Sequence, residues 1–192
     1  HQESGLWRIP TIASAATLEK MVIYTVVVGI AGIGATLVII SAGIDLSAGS
    51  VIALGGVVTA LCREQGWPPG LAAMAGVLAG LLCGFFNGLI ITKFRVVPFI
   101  ATLGTLLIMR GLAKGLADGK PVNIEQTWLT ELLALLPDEK KWMLFPPGAL
   151  VMFGLAALTA AFLRYTRPGR HIVALGSNEQ TARSVSYTHL RA

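Results

Sequence analysis

One ionisable residue sits where its surroundings would have to be built for it. Asp45 lies in "SAGIDLSAGS" (41–50), between the uncharged run "MVIYTVVVGIAGIGATLVII" and the apolar "VIALGGVVTALC". A carboxylate at membrane depth costs roughly 2.5–3.5 kcal/mol on insertion scales, so it normally faces protein or water. Three uses compete. Gly43 can break a helix so that Asp45 or Ser47 caps the next one, accepting bonds from its free N–H groups. The break can itself line a central cavity, as the discontinuous helices of transporters do. Asp45 can also be a proton or sodium site. The first two are compatible, because a capped helix start inside a bundle also aims polar groups at a pathway. Asn87, an amide within another apolar run, needs either a partner on a neighbouring helix or a water-lined cavity.

The elements that must position these groups are apolar runs of membrane-spanning length. The 192-residue chain is 54% hydrophobic and 13% charged, against roughly 25% charged in soluble domains. The composition and runs predict an all-α, polytopic transmembrane helical bundle with a discontinuous helix region near 41–50. Its spans are expected at about 21–40, 46–62, 70–92, 96–113 and 148–163, each near the roughly 20 residues that cross a bilayer. In 70–92, Gly76, Gly80, Gly84 and Gly88 recur every four residues and predict one face for close helix packing. Cys62 and Cys83 lack CxxC or metal-ligand spacing and read as small packing residues.

Charge placement predicts the orientation. Lys93 and Arg95 occupy the short connection "TKFRVV", and Arg164, Arg167, Arg170 and Arg183 follow the last span against Glu179 alone. The connection 114–147 is nearly balanced, with five acids and four lysines. The positive-inside rule then puts 93–95 and 164–183 in the cytoplasm and the loop 114–147 outside. The net charge of +5 is thus a topology signal, and no nucleic-acid partner is expected. Threading the spans leaves 1–20 outside and calls for a further span upstream. The chain opens with His1 and shows no basic n-region with a cleavage site, so it reads as part of a longer frame. Within the outer loop, "NIEQTWLTELLALL" (123–136) sets Trp128, Leu132, Leu135 and Leu136 at helical spacing, predicting a surface helix.

Several chemistries find no residues. "GLADGKP" does not have the spacing of a phosphate-binding G-x-x-x-x-G-K-[ST] loop. Ser/His/Asp and HExxH patterns are absent from the sequence, and His171 falls in a basic loop where solvation accounts for it. The protein is expected to be neither an enzyme nor a cofactor or metal carrier.

Three blocks carry a resemblance. "GATLVIISAGIDLSAGSVIALGGVVTAL", "GFFNGLIITKFRVVPFIATLGTLLIMRGLA" and "GRHIVALGSNEQTAR" together resemble the permease subunits of bacterial monosaccharide ABC importers, of the ribose/xylose/galactose type, over about residues 32–183. The resemblance implies a permease in the bacterial inner membrane, paired with a second copy or homologue, fed by a periplasmic sugar-binding protein and driven by cytoplasmic ABC ATPase subunits. It implies that the "GIDLS" block belongs to the translocation pathway. Asp45, Ser47, Ser50, Asn87, Thr102 and Thr105 are the pathway candidates of the matching blocks. It implies that 164–183 docks into the ATPase, with Gly169, Arg170, Gly176, Asn178, Glu179 and Ala182 as coupling residues. The residues agree with a docking element: "RYTRPG" reads as a basic turn, and Ser177 or Asn178 can cap a short helix starting near Glu179. Family members are expected to run about half as long again, and "SVSYTHLRA" (184–192) leads into no apolar run, so it reads as a truncated or non-native tail. The alternatives kept open are an ion-coupled transporter or channel using Asp45, and a non-transporting scaffold built on the glycine column.

Overall fold

The computed structural model describes residues 15–122, 127–131 and 147–177. Among them are seven α-helices and no strand: α1 (Ala15–Ile40), α2 (Ala48–Glu64), α3 (Pro69–Phe94), α4 (Pro98–Leu116), α5 (Trp128–Glu131), α6 (Pro147–Tyr165) and α7 (Arg167–Ser177). Pro69, Pro98 and Pro147 each stand first in a helix, where a missing N–H costs nothing and the fixed φ suits the first turn. Helices α1, α3, α4 and α6 are long and apolar enough to cross a membrane. The protein is therefore a multi-pass membrane protein, an all-α bundle.

The expected span at 46–62 is α2, and it is short. Its 17 residues extend about 25 Å at the helical rise, against a hydrocarbon core of roughly 30 Å. The non-helical segment 41–47 precedes it. Helix α1 ends in paired capping bonds: Gly43 N–H donates to Val38 O (3.0 Å) and Ala42 N–H to Ile39 O (3.0 Å). That pattern requires a left-handed residue after the cap, and Ala42 takes it at φ 60°. The helix break expected at Gly43 thus falls one residue earlier, with Gly43 as the next residue of the motif.

The helices pack as two groups. Helix α2 lies against α3 and α4, while α1 lies against α6 and α7. Leu54, Cys83, Met109 and Ala113 form the buried core of the first group, and Cys62 and Cys83 are free thiols. Phe85, Phe86, Leu107 and Phe153 point outward, as residues facing acyl chains do. Of the expected outer surface helix, Trp128–Glu131 is helical; Leu132, Leu135 and Leu136 lie outside the described residues.

The glycine column needs correction. Of the four, only Gly76 is a close-approach glycine: a Cβ there would meet Gly55 O at 2.6 Å and overlap Thr59 Oγ1. A Cβ on Gly80 would make one ordinary contact, with Val51 at 3.6 Å, and Gly84 and Gly88 face open space. The reason is rotational. Four residues turn a helix about 400°, so the glycine line drifts about 40° per step and leaves the α2 crossing. Gly76→Ala should therefore lower the unfolding free energy by about 1–3 kcal/mol, as overpacking does, while Gly84→Ala should not. Parallel detergent melts of the two variants check this; equal melting temperatures would contradict the single crossing point.

Candidate functional site: a polar cluster beside an apolar cavity

The segment 41–47 folds back on itself through Asp45. Its Oδ1 accepts from the Ser47 N–H (2.7 Å) and from the Ser47 hydroxyl (2.6 Å), the turn that aspartate builds with the backbone two residues on. Ser47 is fully buried and is the N-cap residue of α2, yet its side chain makes no cap bond. The expected hydroxyl cap is replaced by the bond to Asp45. The carboxylate still sits at the start of α2, where the helix dipole favours negative charge.

Asn87 of α3 completes the cluster by donating Nδ2–H to Ser47 Oγ (2.8 Å). The direction of each bond follows from chemistry. Oδ1 of Asp45 already accepts a backbone N–H, so it receives the Ser47 hydroxyl proton as well; Ser47 Oγ then accepts, and Asn87 must present its NH₂ side. Its other end, Oδ1, is left buried with no partner among the described residues. Thr102 of α4 holds the segment from the far side: its Oγ1 accepts the Leu46 N–H (3.2 Å) and bonds back to Pro98 O (2.9 Å). Thr105, one turn on, donates to Thr102 O (3.2 Å).

Between α1 on one side and α2 with α3 on the other lies a cavity of about 590 Å³, within the roughly 300–1,000 Å³ of small-molecule sites. Its walls are Val, Ile, Ala and Gly apart from Asp45 and Asn87. The structure divides the six pathway candidates accordingly. Asp45 and Asn87 line the cavity, while Ser47, Ser50, Thr102 and Thr105 are buried in the interfaces around it. The apolar wall from α1, including Val27, Ala31 and Val38, carried no signal in the sequence, because such residues read equally as lipid-facing. Gly80 and Gly84, expected at a helix contact, line the cavity instead.

The cytoplasmic-loop candidates also divide. The stretch "RYTRPG" (164–169), expected as a turn, holds the end of α6, a bend at Thr166 and the start of α7, an 11-residue helix ending at Ser177; the short helix expected from near Glu179 lies outside the described residues. Gly169 and Gly176 face inward. A Cβ on Gly169 would run into the backbone of Phe162 and Leu163, and one on Gly176 into the Ile40 carbonyl. Arg170 and His171 are exposed. Asn178, Glu179 and Ala182, and the tail 184–192, lie outside the described residues.

A model of the branched-chain amino acid transport system / permease component family matches residues 17–190. The ribose import permease protein RbsC of Escherichia coli K12 is 35% identical over 175 residues, covering 91% of this chain and 54% of that protein. The autoinducer 2 import system permease protein LsrC of Yersinia enterocolitica is 36% identical over 156 residues, or 80% of this chain and 41% of that protein. The chain spans about half the length of the curated relatives it matches. No solved structure matches it.

Proposed function

Because the chain belongs to the branched-chain amino acid transport system / permease component family, we propose that it is the membrane-spanning permease part of an ABC importer. The cargo is a monosaccharide or a small polyhydroxylated relative, moved across the bacterial inner membrane by alternating access. The observation that carries this reading is the match to a ribose import permease over 91% of the chain. ATP hydrolysis belongs to separate cytoplasmic subunits, and a periplasmic binding protein and a second permease copy complete the assembly.

The polar cluster and cavity form part of the pathway, and α7 with the segment after it forms the docking element for the ATPase. The structure supports a mechanical link between them. Helix α7 rests on α6 at Gly169 and on the end of α1 at Gly176, and α1 leads within a few residues into Asp45. A push on α7 from closing ATPase subunits is thereby delivered to one wall of the cavity.

The test is ATP-dependent uptake of labelled ribose, xylose and galactose by the full-length permease with its ATPase and binding protein in proteoliposomes. Uptake of none of them would overturn the sugar reading. Uptake without the ATPase that collapses in Asp45→Asn would replace it with ion coupling. In the same assay Glu179→Lys should reduce uptake about tenfold or more, as reversing a charge at a docked interface does, with membrane insertion intact. Unchanged uptake would remove Glu179 from the docking element.

A further inference from the structure

Helix α4 carries both of its basic residues on a face that none of the described helices covers. It packs against α2 and α3, burying Ala101, Thr105, Met109 and Ala113. Beside that buried row runs a second stripe at steps of three and four residues: Phe99, Leu103, Leu107, Arg110 and Lys114, each of them exposed. Neither Arg110 nor Lys114 makes a hydrogen bond or ion pair among the described residues, and Asp118, in the turn after α4, pairs with neither. The stripe is divided by depth. Helix α4 is long and apolar enough to cross a membrane, and at the helical rise Arg110 sits about 9 Å and Lys114 about 3 Å below its Leu116 end. Long cationic side chains at that depth reach up to the interface. Deeper in, the stripe offers only hydrocarbon.

Whatever covers this face has to match both halves of it. A protein surface would bury two cations, which is costly unless carboxylates stand ready to pair with them. Close helix contacts also favour small residues, and the stripe has none; Gly104, Gly111 and Gly115 fall about 100–140° away around α4. A diacyl phospholipid is built in the same two parts, anion above and hydrocarbon below. We propose that this face of α4 binds an anionic phospholipid of the leaflet at the Leu116 end, with its phosphate between Arg110 and Lys114 and its acyl chains along Leu107, Leu103 and Phe99. The orientation expected from the charges makes this the outer leaflet. Two cations without an acid favour a headgroup of net negative charge over a zwitterionic one, because each Lys or Arg adds to the attraction. The site needs only the membrane span and stands apart from the cargo and the ATPase.

The test replaces Leu107 of the full-length permease, and in a second variant Leu103, by the photoreactive residue p-benzoylphenylalanine. The protein is held in nanodiscs in which phosphatidylglycerol is the minor lipid and phosphatidylcholine of identical chains the major one. After illumination, mass spectrometry identifies what the photoreactive residue has attached to. Lipid adducts should dominate, with phosphatidylglycerol enriched about fivefold or more over its share of the bilayer, the factor that one cation near an anionic headgroup is worth. Arg110→Gln with Lys114→Gln, which removes the charges and keeps polar side chains, should return that ratio to the bilayer's own while lipid adducts persist. Persisting adducts verify that the doubly substituted helix still faces lipid. Adducts to the permease itself, to a second copy or to another subunit would overturn the proposal, since the face would then be a protein interface. Lipid adducts in the bilayer's own proportions, or an enrichment indifferent to the two substitutions, would overturn it too, leaving ordinary boundary lipid.

Discussion

Gly176→Ala in the full-length importer is expected to cut ATP-driven uptake about tenfold or more while the permease still inserts. A Cβ at this position overlaps the Ile40 carbonyl and comes within 2.9 Å of its carbon and 3.4 Å of Ala42 N. The obstacle is backbone, which cannot rotate away as a side chain can, so α7 must lift or α1 must yield. Lifting is resisted at Gly169, two turns earlier on the same face, where α7 rests on the backbone of α6. Ile40 is the last residue of α1, and Ala42 belongs to the paired bonds that end it and aim the chain toward Asp45. Overpacking of this kind costs about 1–3 kcal/mol, which is about 5- to 150-fold in an equilibrium between two pathway conformations. Gly154→Ala on α6, where a Cβ meets open space, is the control and should transport normally. If Gly176→Ala also transports normally, motion of α7 is not delivered through α1.

The apolar runs were enough to place the helices, because a segment that spans lipid must be long, apolar and internally bonded. The spans expected from 70, 96 and 148 start at Pro69, Pro98 and Pro147, and the break expected near 41–50 is the non-helical segment 41–47. That Asp45, Ser47, Asn87 and Thr102 meet is legible for the same reason: polar side chains inside apolar helices have to find one another. Which helices face each other was not legible. Nothing in α1 says that it packs on α6 and α7 rather than on α2, since its apolar residues serve equally against lipid and against protein. The glycines failed for a related reason. A four-residue repeat gives a smooth face, but only the neighbour decides where along it two backbones touch, here at Gly55 and Gly76. The turn read at "RYTRPG" is narrower than its residues suggested: the chain bends at Thr166, Pro168 is tolerated in the first turn of α7, and Gly169 is the point where that helix meets α6.

Ser47→Ala should be the most costly single change in the polar cluster, and the cost should depend on Asn87. The hydroxyl gives a proton to Asp45 Oδ1 and takes one from Asn87 Nδ2. Its removal leaves Asp45 held only through the Ser47 N–H and leaves the Asn87 amide, already unpartnered at Oδ1, with no bond at either end. Each buried polar group stranded in this way costs about 1–3 kcal/mol, so a loss of about 3 kcal/mol in unfolding free energy is expected. In an Asn87→Leu background the same substitution should cost less, because no amide remains to be stranded. The difference, a coupling of about 1 kcal/mol or more between contacting residues, is readable from denaturant titrations of the two single variants, the double variant and the parent in one detergent. Additive costs would mean that Asn87 does not depend on Ser47, and the orientation argued for its amide would be wrong. Asn87→Leu alone should be milder than Ser47→Ala, since it removes an orphaned acceptor together with one good bond.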